Sequence, residues 1–254
     1  SVSLSGQTYT RKADYYVLSA LSGIAQSAHK MASDIRLMAH MKEVEEPFGN
    51  KQIGSSAMAY KRNPMKSERI CSISRYVMSL PQNAAATHAT QWFERTLDDS
   101  ANRRIVLPEA FIATDIVVSN LTEVVEGLQV WEKIIENNLA KELPFMATEN
   151  ILMAAVKLGG DRQELHEAIR CHSIEAAVQI KKFGKGNDLI RRIASDKLFA
   201  KVANKMDKIL APQNFTGRAP SQTDKFLRTE IYPLLRKYQR QIIEAEKNRA
   251  KSKV

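Results

Sequence analysis

Residues 17–38 read VLSALSGIAQSAHKMASDIRLM, and within them Val17, Leu21, Ile24, Ala28, Met31, Ile35 and Met38 recur at alternating spacings of four and three. A heptad stripe sustained in this way marks a long helix packed nearly parallel to others, because a 3.5-residue repeat keeps one apolar seam facing a partner. A second stretch, 107–128, repeats the pattern through Leu107, Phe111, Thr114, Val118, Leu121, Val125 and Leu128, with Thr114 its one polar member. Two such stripes predict a helical bundle with these side chains in its core. Asp99 or Ser100 is expected to cap the second helix. Pro108 is tolerable in a first turn and kinks the helix if it lies deeper.

Between the stripes the texture changes. Residues 43–66, EVEEPFGNKQIGSSAMAYKRNPMK, have no period, three acids near the start, and Gly, Ser and Pro throughout. A loop of this length inside a compact domain is either disordered or functional. Beyond Trp131 shorter helices are expected at about 147–158, 162–182, 187–195 and 197–210. A last one is expected from Ser221, as N-cap, to about Lys247. The fold class is therefore all-α: a partial long-helix bundle over 1–130 carrying the loop 43–66, then a smaller helical domain over 131–254.

Composition narrows the function classes. The 254 residues are 44% hydrophobic and 26% charged, as in an ordinary globular protein and unlike a disordered one. Cys71 and Cys171 lie a hundred residues apart, which gives neither a disulfide scaffold nor a thiolate metal site and suits a reducing, cytoplasmic compartment. The longest uncharged run, 76–93, holds Pro81, Gln82, Asn83, His88 and Gln91, so no membrane span is expected there. The net charge of +10 invites a nucleic-acid reading. Half of that excess, however, sits on residues 236–254 at the end of the last helix, and no aromatic-interleaved basic motif occurs. No nucleic-acid partner is expected.

The loop segment GSSAMAYKRNP, 54–64, carries the chemistry. Gly54, Ser55 and Ser56 supply backbone freedom and two hydroxyls, and Lys61, Arg62, Lys66 and Arg69 follow with Asn63 among them. Such a segment can receive carboxylate or phosphate, and a serine beside fixed positive charge can serve as a base. An ordinary basic surface loop has the same composition. Neither a Gly-x-Ser-x-Gly elbow nor a Walker lysine pattern is present, so hydrolase and triphosphatase readings gain nothing.

GSSAMAYKRNP resembles the signature loop of the fumarase/aspartase superfamily. SGQTYTRKAD, QWFERTLDDSANRR, ELPFMATENI and FTGRAP are together similar to its adenylosuccinate lyase branch. That resemblance implies a lyase of purine nucleotide biosynthesis that releases fumarate from adenylosuccinate, giving AMP, and from succinylaminoimidazole carboxamide ribotide. It implies Ser55 as the base, with Ser56 its neighbour and a substrate contact. Lys61 and Asn63 match residues that hold the succinyl carboxylates, and Gln7 a substrate-binding glutamine. Arg69, Arg95, Ser100 and Arg104 match nucleotide-binding positions, mostly around the 5′-phosphate. Ser100 and Arg104 are one helical turn apart, which lets both face one phosphate. The resemblance implies no metal and no organic cofactor. It also implies a homotetramer whose active sites are shared between subunits.

Two departures from the family pattern stand out. Ala59 occupies the position of a family proline, which fixes φ and lowers the entropy of the open loop. The expected penalty on closing is of order 0.5–1 kcal/mol. Ala59→Pro should therefore lower KM or raise kcat, and a variant that changes neither contradicts this reading. The second departure is that the resemblance starts after the family's N-terminal region, which holds its general-acid histidine and further nucleotide contacts, and none of His29, His40, His88, His166 and His172 matches that histidine. Each is expected to be structural or on the surface, including His88 in AATHATQ, a stretch that superficially suggests an active-site strand. Little turnover is expected from this chain alone. The alternative reading is a catalytically incomplete helical fragment that only assembles with full-length subunits.

Overall fold

The structure, a computed structural model, describes residues 3–49, 58 and 60–251, with side chains of the last helix as far as Lys247. It divides into two compact units, Ser1–Glu136 and Asn137–Val254. The first is a three-helix bundle of α1 (Lys12–His40), α2 (Met65–Ala89) and α3 (Asp98–Glu126). A two-stranded antiparallel ladder of β1 (Val44–Glu45) and β2 (Gln129–Val130) ties the segment after α1 to the end of α3, with Val44 opposite Val130 and Glu45 opposite Gln129. Pro47 crosses so close to Gly127 that a Cβ there would lie 2.5 Å from the proline Cβ, so only glycine fits.

The helices are the expected ones, but the face they bury is rotated. On α1 the buried positions are Asp14, Leu18, Ser22, Ala25, Ala28, Ala32 and Ile35, whereas Val17, Ile24 and Met31 of the heptad stripe are exposed. On α3 they are Asp99, Val106, Ala110, Thr114, Val117 and Val124, whereas Phe111, Val118 and Val125 are exposed. Only part of each predicted core stripe is therefore core in this chain. The small Ala and Ser side chains let the helices approach closely, and the bulky row lies on the neighbouring face. Thr114 is buried because its Oγ1 donates to the Ala110 carbonyl at 2.7 Å, which satisfies the hydroxyl within the helix.

Helix α2 lacks a bulky heptad row, which is why the sequence reading did not single it out. Its buried positions are Ser67, Ile70, Cys71, Ser74, Val77, Leu80 and Ala84, and Pro81 lies inside it. His88 belongs to its last turn and not to a strand. Helix α3 contains Pro108 without ending there, and it starts at Asp98 after Leu97, so neither Asp99 nor Ser100 is its N-cap. By length and composition α3 is also apolar enough to cross a bilayer. Its buried face instead packs on α1 and α2 through Val106, Ala110, Val117 and Val124.

The second unit is made of shorter helices. The helix α4 (Glu132–Met146) contains the division between the units, and α5 (Thr148–Lys157), α6 (Arg162–Phe183), α7 (Leu189–Ser195) and α8 (Met206–Ile209) follow. Ile151, Leu165, Leu189, Ile193, Phe199 and Val202 form the core. Asp161 caps α6, accepting from the Gln163 and Glu164 amides, and Gly184 ends it at φ +63. The expected helix 197–210 is broken into two 3₁₀ turns and the single turn of α8. Asp196, at the first of those turns, accepts from the Leu198 amide at 2.9 Å and from His172 at 2.8 Å. The final helix is also not continuous. It runs as α9 (Ala219–Phe226), a π-helical turn (Leu227–Ile231), α10 (Tyr232–Lys237) and α11 (Gln239–Lys251). Its N-cap is Arg218, and the Ser221 hydroxyl donates to the Arg218 carbonyl at 3.0 Å.

The His172 hydrogen bond and the Leu198 amide together hold the Asp196 carboxyl below its ordinary range, against the opposing effect of burial. A depressed folded-state pKa contributes stability above the unfolded value and loses it as pH falls. The thermal midpoint of the second unit should therefore drop between about pH 5 and pH 2, and Asp196→Asn should flatten that acid limb. An unchanged acid limb in the variant would show that Asp196 is not linked to folding.

Candidate active site

The three bundle helices alternate in direction, which assigns the candidate residues to two ends. Cys71 of α2 meets Ser33 of α1 at 3.7 Å, Thr87 of α2 meets Asn102 of α3 at 3.3 Å, and Lys66 pairs with Glu123. One end of the bundle thus holds the end of α1, the start of α2 and the end of α3. The other holds the start of α1, the end of α2 and the start of α3. With 25 to 29 residues per helix, the ends are about 40 Å apart at 1.5 Å per residue.

At the first end a cavity of about 890 Å³ is lined by Arg36, His40, Tyr60, Lys61, Asn63 and Glu68, among others. Lys61 is exposed and Asn63 half-buried. Neighbouring cations are already matched to acids: Arg62 pairs with Glu45 at 2.9 Å, and Lys66 with Glu123. Among the described residues no carboxylate lies within ion-pair distance of Lys61, which leaves its charge available to the cavity. Arg62 also lies 5.3 Å over the Phe48 ring. Arg69, one turn into α2, belongs to this end. Ser55, Ser56 and Ala59 lie outside the described residues.

Gln7, Arg95, Ser100 and Arg104 lie at the opposite end. Ser100 and Arg104 share the first two turns of α3, Ser100 half-buried and Arg104 exposed. A charged network holds this end together. Arg11 Nε donates to Asp99 Oδ2 at 2.5 Å, with both side chains buried, and Gln91 adds a donor at 3.3 Å. Arg103 pairs with Asp14, Tyr9 donates to Asp14 at 2.8 Å, and Arg11 and Arg103 lie over the Tyr9 ring. The network links the Gln7 segment to the first turns of α3. Burial works to raise the Asp99 pKa, but the Arg11 hydrogen bond and the charges of Arg11, Arg103 and Arg95 prevail and hold the carboxyl below its ordinary value.

The structure thus brings Lys61, Asn63 and Arg69 to one end and Gln7, Arg95, Ser100 and Arg104 to the other. No single chain can wrap one small substrate with both sets. Three residues of the cavity wall were not anticipated as site residues. Glu68 stands one helical position before Arg69 and was hidden by its ordinary composition. His40 and Arg36 lie in the last turns of α1 and reach the cavity only through the antiparallel pairing of α1 with α2.

Comparisons with known proteins agree with this architecture. The family model described as adenylosuccinate lyase C-terminus matches residues 144–226, and one described as lyase matches residues 4–79. The adenylosuccinate lyase of Saccharomyces cerevisiae is 53% identical over 237 residues, covering 93% of this chain and 49% of the relative. That of Schizosaccharomyces pombe is 51% identical over 241 residues, covering 95% and 50%. The chain therefore spans about half the length of the curated relatives it matches. Among solved structures, a fumarate lyase from Mesorhizobium sp. BNC1 superposes with a TM-score of 0.69 at 21% identity, covering 87% of this chain and 48% of that one. The 3-carboxy-cis,cis-muconate lactonizing enzyme from Pseudomonas putida gives 0.66 at 21%, covering 81% and 44%. These two likenesses bear on the fold alone.

Proposed function

We propose that this chain, which spans about half the length of the curated adenylosuccinate lyases it resembles, belongs to their family and supplies the base, carboxylate-binding and phosphate-binding parts of a C–N lyase. The substrates are adenylosuccinate, cleaved to AMP and fumarate, and succinylaminoimidazole carboxamide ribotide. The observation that carries this reading is the large cavity whose wall holds Lys61 and Asn63 at family-matched spacing.

In the proposed reaction Ser55 removes the proton next to a succinyl carboxylate, and the electron pair moves into that carboxylate as an aci form. The Lys61 ammonium stabilises the second negative charge that develops there, while Asn63 holds the carboxylate by hydrogen bonds. The pair then returns to form the C=C bond as the C–N bond breaks. The nitrogen leaves as the amine after protonation by an acid that these residues do not supply by resemblance. Ser56 and Gln7 contact substrate. Arg69, Arg95, Ser100 and Arg104 bind the nucleotide, the last two where helix α3 presents its positive N-terminal end.

The two-ended distribution supports an active site completed by a second copy, with the Lys61 end of one chain meeting the Arg104 end of another. The exposed rows Val17, Ile24, Met31 and Phe111, Val118, Val125 are apolar faces of the kind such an assembly covers. We take the assembly to be a homotetramer in the cytoplasm. The test is adenylosuccinate turnover by ultraviolet absorbance together with AMP binding. This chain alone should bind AMP, lose that binding in Arg104→Ala, and turn over little substrate. Failure to bind AMP would overturn the reading. Turnover that disappears in Ser55→Ala would show that an acid comes from within these residues.

A further inference from the structure

Helix α2 begins without a cap of its own. Its N-cap is Pro64, which offers no side-chain acceptor, although the leading N–H groups of any helix need partners. Glu46, 20 positions before Lys66, supplies them. Its Oε2 accepts the Lys66 N–H at 2.9 Å, and its Oε1 accepts the Ser67 N–H at 2.6 Å. Glu46 is only 7% exposed and Ser67 is fully buried, so this carboxylate spends its charge on two amides inside the protein. Negative charge at the positive end of a 25-residue helix, through charge-assisted hydrogen bonds, is a strong local restraint.

What that restraint holds is the cavity wall. Asn63 is stitched to the same turn, because its carbonyl accepts the Met65 N–H at 2.8 Å. The Pro64 carbonyl accepts the Glu68 N–H at 2.9 Å, so Asn63, Pro64 and Glu68 move with the start of α2. Lys61 is two residues further out, its own N–H bonded to the Met58 carbonyl at 3.0 Å. On the other side Glu46 follows the β1 residues Val44 and Glu45, which are anchored to β2. One buried carboxylate therefore ties the cavity's start of α2 to the ladder at the end of α3.

We propose that Glu46 is a positioning residue for Lys61 and Asn63, setting where these two groups present themselves to a dicarboxylate; this rests on the lyase reading of that cavity. Glu46 touches main-chain amides and not substrate, so its effect passes through the backbone. Glu46→Gln is the informative change. The amide keeps the shape, but its NH2 group meets one of the two helix N–H groups donor to donor, and the charge is gone.

The experiment uses the whole chain with succinate as the dicarboxylate probe and AMP as the probe for the nucleotide-binding residues, most of which lie at the opposite end. In Glu46→Gln, hydrogen exchange at the Lys66 and Ser67 amides should accelerate about tenfold. The side-chain amide resonance of Asn63 should shift in the absence of ligand. Succinate should bind roughly tenfold more weakly, equivalent to about 1.4 kcal/mol. AMP affinity should fall by less than succinate affinity, because Arg95, Ser100 and Arg104 lie about 40 Å along the chain's bundle from Glu46 and only Arg69 shares the helix start that Glu46 holds. Glu46→Asp, which keeps the charge, should recover part of the loss. Faster amide exchange with unchanged Asn63 resonance and unchanged succinate affinity would overturn the proposal, leaving Glu46 a cap and nothing more. Equal weakening of both probes would overturn it as well, since that is general loss of structure. If the unmodified chain binds no succinate, the lyase reading fails at this end, and the Asn63 resonance alone decides whether Glu46 positions it.

Discussion

Asp99→Ala should lower the stability of the first unit by about 3–5 kcal/mol, the cost of leaving a buried guanidinium without its counter-charge. The pair meets the conditions for so large an effect. Arg11 and Asp99 side chains are 7% and 1% exposed, and the contact at 2.5 Å links residues 88 positions apart in sequence. Removing one partner strands the other, whereas removing both does not. Arg11→Met combined with Asp99→Leu should therefore recover most of the loss, since a buried pair replaced by apolar groups of similar size is often neutral. Urea unfolding of the two single variants and the double variant completes the cycle. A loss below about 1 kcal/mol for Asp99→Ala would mean that the pair behaves as a surface contact. The acid dependence has a definite sign. Asp99 is held below its ordinary range, so its contribution is present at neutral pH and disappears as pH falls through the folded-state value. Asp99→Asn should remove that part of the acid sensitivity.

The second large effect concerns the two ends of the bundle. In assembled protein, Lys61→Ala and Arg104→Ala should each weaken adenylosuccinate binding by about 30- to 1000-fold, because each removes one partner of a charge pair with a ligand anion, worth about 2–4 kcal/mol. If one site takes its Lys61 from one copy and its Arg104 from another, co-refolding the two variants in equal amounts should restore tight binding. The restored fraction should be roughly a quarter of the sites under random pairing of copies. Titration calorimetry reads both the affinity and that fraction. Restoration cannot occur if one chain provides both residues to a site, because every chain in the mixture carries one defect. A mixture with no tight sites would therefore place the complete site within single chains and contradict the 40 Å separation as the relevant geometry.

How much of this could be read before the structure differs from residue to residue. The stripes through Val17–Met38 and Leu107–Leu128 announced long helices, because bulky apolar residues at heptad spacing have no other common explanation. They gave only part of the face packed within the chain: Ala28 and Ile35 of the first stripe are buried, but Ser22, Ala25 and Ala32 were not in it, because small residues carry little signal in a hydrophobicity pattern. Helix α2 was missed for the same reason, with Ser67, Cys71, Ser74 and Ala84 on its buried side. Lys61 and Asn63 were legible because the motif that holds them is local. Arg11 with Asp99, and Glu46 with the start of α2, were not. Those contacts are made by the fold between positions far apart, and one partner in the second case is main chain, which has no residue identity to read.

The close passage of Pro47 over Gly127 carries a different consequence. The chain there conveys position through a missing atom. Gly127 sits next to β2 and 81 positions from Glu46, yet a single methyl group at 127 would push Pro47 outward and, through its neighbour Glu46, loosen the grip on α2. The aperture of the cavity is in this sense set at the C-terminal end of another helix. A change with no charge and no hydrogen bond would reach the cavity wall by displacing the segment that caps α2.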